Sequence, residues 1–395
     1  MKSLNTFKLS FIVLLCFISC DQNTHNLVDI GTKGNYDLSN SDTIFVNPKY
    51  KDNTDFEIID NIEDIYAIKL SNEELIAEVS KIRFSQNHIY ILDNIRQAIF
   101  VFDNNGNLLN TIDNSGRGPG EFAKLTDFTF DLQKNQLVLL DNINRKLLHF
   151  DSTGVYLGEN RFIFHARNFD ISADQVVLYN DFNERLKDTN YNVFISNRDG
   201  EVSKYFFPFS SELSATNRVK KTYFTRDKNT INYIGHYDRN WYKFNGDSVW
   251  LAYNIDFGDF NSPDEIIDNV FDAFAGYAHG ISYFHETEDY LAFTYRYLDK
   301  LKTVYYNKNS KFLFHGLTTI PHMAYLSLVD PVIGTRDDYF VQTINPQMFI
   351  ELFDKYGDRF GDSSKLREIH KKFYNILNSL NEDDNPIIIF FKLKP

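Results

Sequence analysis

The sequence reads His88-Ile-Tyr-Ile-Leu-Asp93 and then Ala98-Ile-Phe-Val-Phe-Asp103-Asn-Asn-Gly106, and the pattern returns as Gln136-Leu-Val-Leu-Leu-Asp141 and Leu147-Leu-His-Phe-Asp151-Ser-Thr-Gly154. The spacings from Asp93 to Asp141, from Asp103 to Asp151 and from Gly106 to Gly154 are each 48 residues. The same spacing at three pairs of residues indicates a duplicated unit. A repeat of about 40–50 residues built from short strands and turns is typical of a β-propeller blade.

The second copy shows the plan of one blade most clearly. It predicts strands over residues 125–131, 136–141 and 145–151, and a fourth strand that begins at residue 155. Weaker copies follow at residues 169–200, 233–257, 280–307 and 325–343. The count favours six blades, although five or seven blades fit the same loose pattern. The predicted fold class is an all-β, six-bladed β-propeller.

The end of the chain departs from this rhythm. Asn345-Pro346 predicts the start of a helix. A later apolar stripe at helical spacing consists of Leu366, Ile369, Phe373, Ile376, Leu377 and Leu380. Residues from about 345 to 381 are therefore predicted to form a helical insertion packed on the propeller rim, with a partner-docking helix as the alternative. The apolar run 386–392 predicts a last strand that closes the ring by completing a blade begun near the N-terminus.

The first residues have the pattern of an export signal. Lys2 and Lys8 precede a short apolar run over residues 9–18, which is too short to span a bilayer. Phe17-Ile-Ser-Cys20 resembles a bacterial lipobox, in which cleavage before Cys20 is followed by acylation of its thiol. An ordinary signal peptide or a membrane anchor is the alternative. The predicted organisation is a signal peptide over 1–19, a polar tether over 20–43 and the propeller over 44–395.

Cysteine content and charge limit the possible partners. Cys16 and Cys20 are the only cysteines, so the folded domain contains no disulfide despite its export signal. The formal net charge is −13, and removal of residues 1–19 with their two lysines makes it −15. Such a negative protein is a poor partner for nucleic acid or for anionic headgroups. Membrane attachment is therefore expected to come from lipid on Cys20, with the protein in the cell envelope, at the outer membrane.

Five segments together resemble the six-bladed β-propeller lipoproteins of Bacteroidota, which are related to NHL-repeat propellers. These segments are the lipobox, Glu78-Val-Ser-Lys-Ile82 leading into the strand at 88–93, the loop at 116–122, the run from Trp241 to Gly258, and Asp384-Asn-Pro-Ile387. The resemblance spans nearly all of the mature chain. It implies the architecture and leaves the activity open, because the wider NHL group includes both enzymes and binding modules.

The loop Gly116-Arg-Gly-Pro-Gly-Glu-Phe122 joins the two clear repeats. Its glycines and proline predict a tight turn, and it has neither the Gly-Lys-Ser/Thr ending nor the strand-to-helix context of a phosphate loop. In an NHL-like plan this loop lies on the face where the central channel opens. Arg117 and Glu121 are therefore candidate ligand-binding residues. The alternative is an Arg–Glu pair that links neighbouring blades.

Signals for metal binding and catalysis are weak. The ten histidines are scattered, and the closest cluster, residues 285–288 (His-Glu-Thr-Glu), is better explained by a surface-exposed strand than by a zinc site. No cofactor is predicted, and calcium in the channel has no support in the sequence. A Gly-x-Ser-x-Gly elbow is absent from the sequence. Of the many aromatic residues, Tyr283 and Tyr295, with Arg296, are candidates for stacking on sugar rings at the channel mouth.

Three functions follow from these observations. The favoured one is a non-enzymatic envelope lipoprotein whose propeller face binds a carbohydrate, a peptide or a partner protein. The second is a propeller hydrolase or lyase with acids, histidine or a metal at the central channel. The third is a scaffold in an envelope complex that docks through the terminal helices.

Overall fold

Six small antiparallel sheets form a ring in the computed structural model of the chain, which confirms the six-bladed β-propeller. The structure describes residues 31–53, 55–162, 165–183, 190–209, 223–236, 238–262, 274, 276–317, 331–347, 350 and 364–395. The predicted signal peptide and Cys20 lie outside these residues. In blades 1 to 5 the strands follow one another in the sequence from the inner edge of the sheet to the outer rim.

The first half of the ring is built in chain order. Before blade 1 the chain forms β1 (Thr32–Lys33), β2 (Asp42–Phe45), helix α1 (Asp55–Ile59) and β3 (Ile62–Lys69). Blade 1 consists of β4 (Lys81–Phe84), β5 (His88–Asp93), β6 (Ala98–Asp103) and β7 (Leu108–Ile112). Blade 2 consists of β8 (Leu125–Asp131), β9 (Gln136–Asp141), β10 (Lys146–Asp151) and β11 (Tyr156–Arg161). Blade 3 consists of β12 (Asn168–Ser172), β13 (Gln175–Tyr179), β14 (Tyr191–Ser196) and β15 (Val202–Pro208).

The second half repeats the plan and ends with the strand from the N-terminus. Blade 4 consists of β16 (Phe224–Asp227), β17 (Thr230–Ile234), β18 (Asn240–Asn245) and β19 (Ser248–Asp256), and a 3-10 turn follows at Gly258–Phe260. Blade 5 consists of β20 (His279–Glu286), β21 (Tyr290–Tyr297), β22 (Lys300–Asn307) and β23 (Leu313–Leu317). Blade 6 combines β24 (Gly334–Arg336), β25 (Tyr339–Ile344) and β26 (Ile387–Leu393) with β3, and helix α2 (Ser364–Leu377) is inserted before β26.

The repeated aspartates Asp93 and Asp141 explain the 48-residue spacing. Both carboxylates are fully buried. Asp93 accepts hydrogen bonds, at 2.6–3.2 Å, from the backbone N–H groups of Ala77, Glu78, Ile95 and Arg96. Asp141 accepts the four corresponding bonds in blade 2, at 2.7–3.4 Å. Each carboxylate therefore satisfies four backbone donors and ties the entrance of a blade to the turn after its second strand.

Gly106 stands at a point where a turn and a close approach between blades coincide. In the β6–β7 hairpin, Asp103 accepts hydrogen bonds from the N–H groups of Asn105 (2.8 Å) and Asn107 (2.9 Å). Gly106 has a φ of +85°, in the left-handed region. A Cβ atom on Gly106 would lie only 2.2 Å from the carbonyl oxygen of Lys69, at the end of β3. Glycine is therefore required by blade 6 as well as by its own turn.

Replacing Gly106 by alanine is expected to lower the free energy of unfolding by about 2–4 kcal/mol, because left-handed strain adds to a clash with backbone. Gly246→Ala is the matched control. Its φ is +55°, yet no atom lies within 4 Å of the Cβ position, so only the strain of about 1–2 kcal/mol applies. Urea unfolding of both variants measures the difference. Equal losses of unfolding free energy in the two variants would mean that the contact between the residue 106 Cβ atom and the Lys69 carbonyl oxygen does not destabilise the fold.

Apolar side chains form six separate clusters, one between each pair of neighbouring blades. Strand β5 shows how one strand serves two clusters. Ile89 and Ile91 pack towards blade 6, whereas Tyr90 and Leu92 point to the other face and pack towards blade 2. Successive side chains of a strand point to opposite faces, and here both faces are buried. This is why the repeated strands are apolar throughout instead of alternating with polar residues.

Strand β26 closes the ring, as the sequence predicted. It pairs with β25 on one side and with β3 on the other, so the last and the first long strands of the chain share one sheet. Six of its seven side chains are no more than 2% exposed, and the exception is Lys392. Asn385, buried just before the strand, donates through its side-chain amide to the carbonyl oxygens of Ser71 (2.6 Å) and Glu74 (2.7 Å).

Part of the expected tether is attached to the propeller. Residues 31–43 were assigned to a polar tether, but Thr32–Lys33 pairs in parallel with β15 and Asp42–Phe45 pairs in parallel with β19. The outer strands of blades 3 and 4 would otherwise present unpaired N–H and C=O groups to solvent. A polar segment can satisfy these groups through its backbone, which the side-chain composition does not reveal.

The helical insertion packs on the rim of blade 6. Phe373 is buried, and Ile376 and Leu380 pack against the same apolar cluster as β3. Lys372 in α2 forms an ion pair with Asp64 in β3 (2.8 Å). No helix among the described residues is long and apolar enough to span a membrane. The inner strand of blade 6 is β24, whereas the stretch 325–332 predicted for it lies mostly outside the described residues.

Candidate functional site

A cavity of about 750 Å³ lies at the face of the propeller where the inner strands begin. Its wall includes the inner strands of blades 1, 2, 4 and 5, with the chain entering blades 3 and 6. Each inner strand contributes side chains to the centre of the ring, because alternate residues of a strand share a face. The residues that line the cavity include Lys81, Arg83, Asp127, Thr225, Tyr283 and His285.

A buried ionic network connects the inner strands beside this cavity. Lys81 donates to Asp127 at 2.6 Å, from blade 1 to blade 2. Asp170 in blade 3 is fully buried and pairs with both Arg83 of blade 1 (3.4 Å) and Arg226 of blade 4. Burial alone would raise the pKa of Asp170, but the charges of Arg226, Arg83 and Lys81 hold it well below its usual range. The Asp170 carboxylate is therefore charged at neutral pH, and the network joins four blades.

Three buried polar atoms on the inner strands of the cavity wall have no hydrogen-bond partner among the described residues. They are Arg83 Nε, Thr225 Oγ1 and His285 Nε2. Thr225 is 0% exposed and His285 is 3% exposed. These residues lie on the inner strands of blades 1, 4 and 5, and Arg83 reaches across to donate to the carbonyl oxygen of Phe224 (3.4 Å). Asn142 Oδ1 and Asp181 Oδ1, on turns at the rim, are likewise buried without a partner among the described residues. A buried polar atom without a partner costs about 1–3 kcal/mol, so their concentration around one cavity indicates a site built for function.

His285 lies buried in the cavity wall. Burial lowers its pKa to about 3, and the positive charge of Arg83 acts in the same direction. The ring is therefore neutral at physiological pH. The ring forms a hydrogen bond with the backbone of Val332, and Nε2 has no partner in the part of the chain that the structure describes. The proton is therefore assigned to Nδ1. Nε2 is then an acceptor only.

The rim of the cavity is more exposed and carries paired charges. Arg167 at the entrance to blade 3 forms an ion pair with Asp181 at 2.8 Å, and the Arg167 side chain is 52% exposed. Lys124 is exposed at the start of blade 2. Within the described cavity wall, His285 makes no hydrogen bond to a hydroxyl or thiol that it could activate as a nucleophile.

The residues predicted from the glycine loop lie away from the cavity wall. The loop does join the outer strand of blade 1 to the inner strand of blade 2, and its end at Lys124 reaches the rim. Glu121, however, turns back and accepts a hydrogen bond from the N–H of Gly118 at 2.8 Å. Arg117 is exposed and forms no ion pair with any described residue, so the expected link between blades through Arg117 and Glu121 is not formed.

The aromatic candidates separate into different environments. Tyr283 lies in the cavity wall, half-buried, with a φ of +49°. Tyr295 is fully buried between blades 4 and 5, and its hydroxyl bonds to Nε2 of His315. The expectation that Tyr295 faces the channel mouth is thus wrong, because its side of β21 packs against blade 4. Arg296, the next residue, points to the other side and is exposed.

The segment 285–288 was expected to be a surface strand, and the structure corrects this. His285, Glu286 and Thr287 are each 3% exposed, since β20 is the inner strand of its blade. Glu286 pairs with Lys243 of blade 4 (2.7 Å) and with Lys308 (3.1 Å). In the part of the chain that the structure describes, no three His, Cys, Asp or Glu side chains converge as a metal site.

The site residues predicted from the sequence do not include Lys81, Arg83, Thr225, Asp170 and Arg226. A signal for them exists, because charged residues inside short, otherwise apolar strands are expected at a polar channel. Lys81-Ile-Arg83 and the pair Thr225-Arg226 both have this form. Nothing local, however, assigns those strands to the inner edge of a blade.

The sequence of the chain matches the model of a known protein family. A family model described as "Domain of unknown function (DUF4934)" matches residues 41–392 of the chain. No curated protein matches the sequence.

Two crystal structures from Bacteroides resemble the protein. A Bacteroides fragilis protein described as a candidate exported protein is 20% identical, covers 89% of this chain and 100% of its own, and superposes with a TM-score of 0.67. A member of the duf4221 family from Bacteroides vulgatus is 10% identical, covers 84% of this chain and 97% of its own, and has a TM-score of 0.47. At this identity the first likeness supports the fold alone.

Proposed function

The chain belongs to the DUF4934 family, and from this premise we propose that it is a non-enzymatic, exported lipoprotein that binds a ligand in the cavity at the channel mouth. The family description names no activity, so the proposal depends on the cavity. Its main support is a group of three inner-strand atoms that line this cavity and have no partner among the described residues: Arg83 Nε, Thr225 Oγ1 and His285 Nε2. Ligand sites commonly have volumes of about 300–1,000 Å³ and a few convergent polar groups.

The alternatives have less support. A general base works best when its pKa lies near the operating pH, and the pKa of His285 is lowered to about 3. The hydrolase or lyase hypothesis therefore lacks a suitable base at that position. A scaffold that docks through α2 would need an exposed apolar stripe, but Phe373, Ile376 and Leu380 pack against blade 6.

The proposed location is the cell envelope, where acylated Cys20 would anchor the protein in the outer membrane. The protein would also be related to NHL-repeat propellers. The eleven residues from Cys20 to Gly31 can span at most about 36–40 Å, because an extended residue spans about 3.3–3.6 Å. The propeller would therefore stay close to the membrane surface. An envelope protein or a glycan is the proposed partner class, and its encounter with the cavity face would take place there.

Thermal unfolding tests the binding proposal. The full-length protein is expected to melt a few degrees higher with at least one member of a panel of monosaccharides, amino acids, dicarboxylates and di- and tripeptides. A ligand at 100 times its Kd stabilises the native state by about 2.7 kcal/mol. Ile333→Trp, which places a large ring in the cavity wall, is expected to remove that shift.

Ile143→Trp is the matched control, since Ile143 is 62% exposed on a turn of blade 2 and outside the cavity wall. It should respond to the ligand like the wild type. A ligand whose shift survives Ile333→Trp would place binding elsewhere. The absence of any shift across the panel would refute the proposal for these ligand classes.

A further inference from the structure

Three inner-strand atoms of the cavity wall have no partner among the described residues, and their donor or acceptor character indicates which chemical group can bind to them. Arg83 Nε carries a proton and only donates, and neutral His285 Nε2 only accepts. Thr225 Oγ1 can do either. A carboxylate offers no proton to His285, and an ammonium group offers no acceptor to Arg83. A hydroxyl group both donates and accepts, so it can satisfy both atoms.

The charges around the cavity also favour an uncharged ligand. Lys81 is paired with Asp127 at 2.6 Å, and Arg83 is paired with Asp170 at 3.4 Å. At the rim, Arg167 is paired with Asp181. These three cations already have carboxylate partners, so an anionic ligand would have to compete with them and would place its charge near Asp127. Lys124 at the rim is exposed, and solvent and salt screen its attraction for an anion.

From this pattern we propose that the cavity binds a neutral carbohydrate, with a sugar hydroxyl held by Arg83, Thr225 and His285. The inference rests on the proposed function, that the cavity is a ligand site. A sugar carries several hydroxyls on one rigid ring, which suits a polar cavity of about 750 Å³. Tyr283 adds an aromatic side chain to the same wall, against which the apolar face of a sugar ring can pack.

Calorimetric titration with matched pairs of sugars tests this inference on the full-length protein. The pairs are glucose with glucuronate and galactose with galacturonate, followed by soluble neutral oligosaccharides. We expect neutral members to bind and their uronates to bind more weakly. Thr225→Val is expected to weaken binding about tenfold, the effect of losing one good hydrogen bond. Its melting temperature without sugar should be unchanged or higher, because no described residue forms a hydrogen bond with the hydroxyl.

Thr111→Val is the matched control, since Thr111 Oγ1 is also buried without a partner among the described residues but lies on the outer strand of blade 1. It should leave sugar binding unchanged, and His285→Phe should weaken it as Thr225→Val does. Preferred binding of uronates would overturn the neutral-sugar inference and keep the cavity as a site. Binding of no sugar, with a thermal shift from a peptide or an amino acid that Ile333→Trp removes, would refute this inference alone. Equal sugar affinity in wild type and Thr225→Val would also overturn it.

Discussion

Deletion of residues 386–395 is expected to leave the chain without a cooperatively folded state. The deletion removes β26, the strand that lies between β25 and β3 in blade 6. Six of its large apolar side chains are no more than 2% exposed, and each contributes about 1.5–3 kcal/mol on burial. Their sum is on the order of 10 kcal/mol, which is comparable to the whole stability of a domain. Circular dichroism and limited proteolysis during denaturant titration measure the loss.

Deletion of Lys394 and Pro395 alone is the control, because every β26 pair survives. That variant should keep a cooperative unfolding transition, although it loses the hydrogen bond from the Tyr290 hydroxyl to the carbonyl of Lys394 (2.7 Å). A synthetic peptide of residues 386–395 is expected to restore protease resistance to the longer deletion. A truncated protein that stays monomeric and unfolds as cooperatively as the wild type would show that ring closure is unnecessary.

Asp170→Ala is expected to lower the free energy of unfolding by about 3–5 kcal/mol, since it leaves the guanidinium groups of Arg83 and Arg226 buried without their carboxylate. Asp181→Ala is the matched control. Its partner Arg167 is 52% exposed, so loss of that ion pair should cost about 1 kcal/mol or less. Guanidinium unfolding of both variants gives the comparison. Similar losses of unfolding free energy at the two positions would mean that the buried network contributes no more to stability than the exposed ion pair.

The pH dependence of the Asp170 contribution has a defined sign. The pKa of Asp170 is lowered in the folded state, against about 3.9 for an unfolded aspartate. Its stabilising effect is therefore complete above about pH 4 and is lost as the pH falls from there through the folded-state pKa. Between pH 5 and 8 the difference in unfolding free energy between wild type and Asp170→Ala should be constant. A difference that shrinks steadily from pH 8 to pH 5 would contradict a lowered pKa.

The blades could be predicted from the sequence because the hydrogen bonds and backbone angles of their turns require particular residues at fixed positions. Asp93 and Asp141 recur at a fixed spacing because each must cap the same turn, and Gly106 and Gly154 recur because the hairpin turn needs a positive φ. The closing strand was readable as well, since a short run with both faces buried is apolar throughout. The pairing of residues 31–43 with the propeller could not be predicted from the sequence. Strands β1 and β2 are held by backbone hydrogen bonds, and polar side chains give no indication of these.

The sequence by itself determined the propeller architecture and its closing strand and favoured six blades, because turns, strand faces and closure each depend on residues close together in a repeat. Only the tertiary structure decided the candidate site. Arg83, Thr225 and His285 come from three different blades, and they share one cavity wall only after the ring has brought their inner strands together. The same closure directs Tyr295 into a blade interface and leaves Arg117 exposed away from the cavity wall. Side-chain direction in a propeller depends on which edge of which sheet a strand occupies, and that is set by the whole ring.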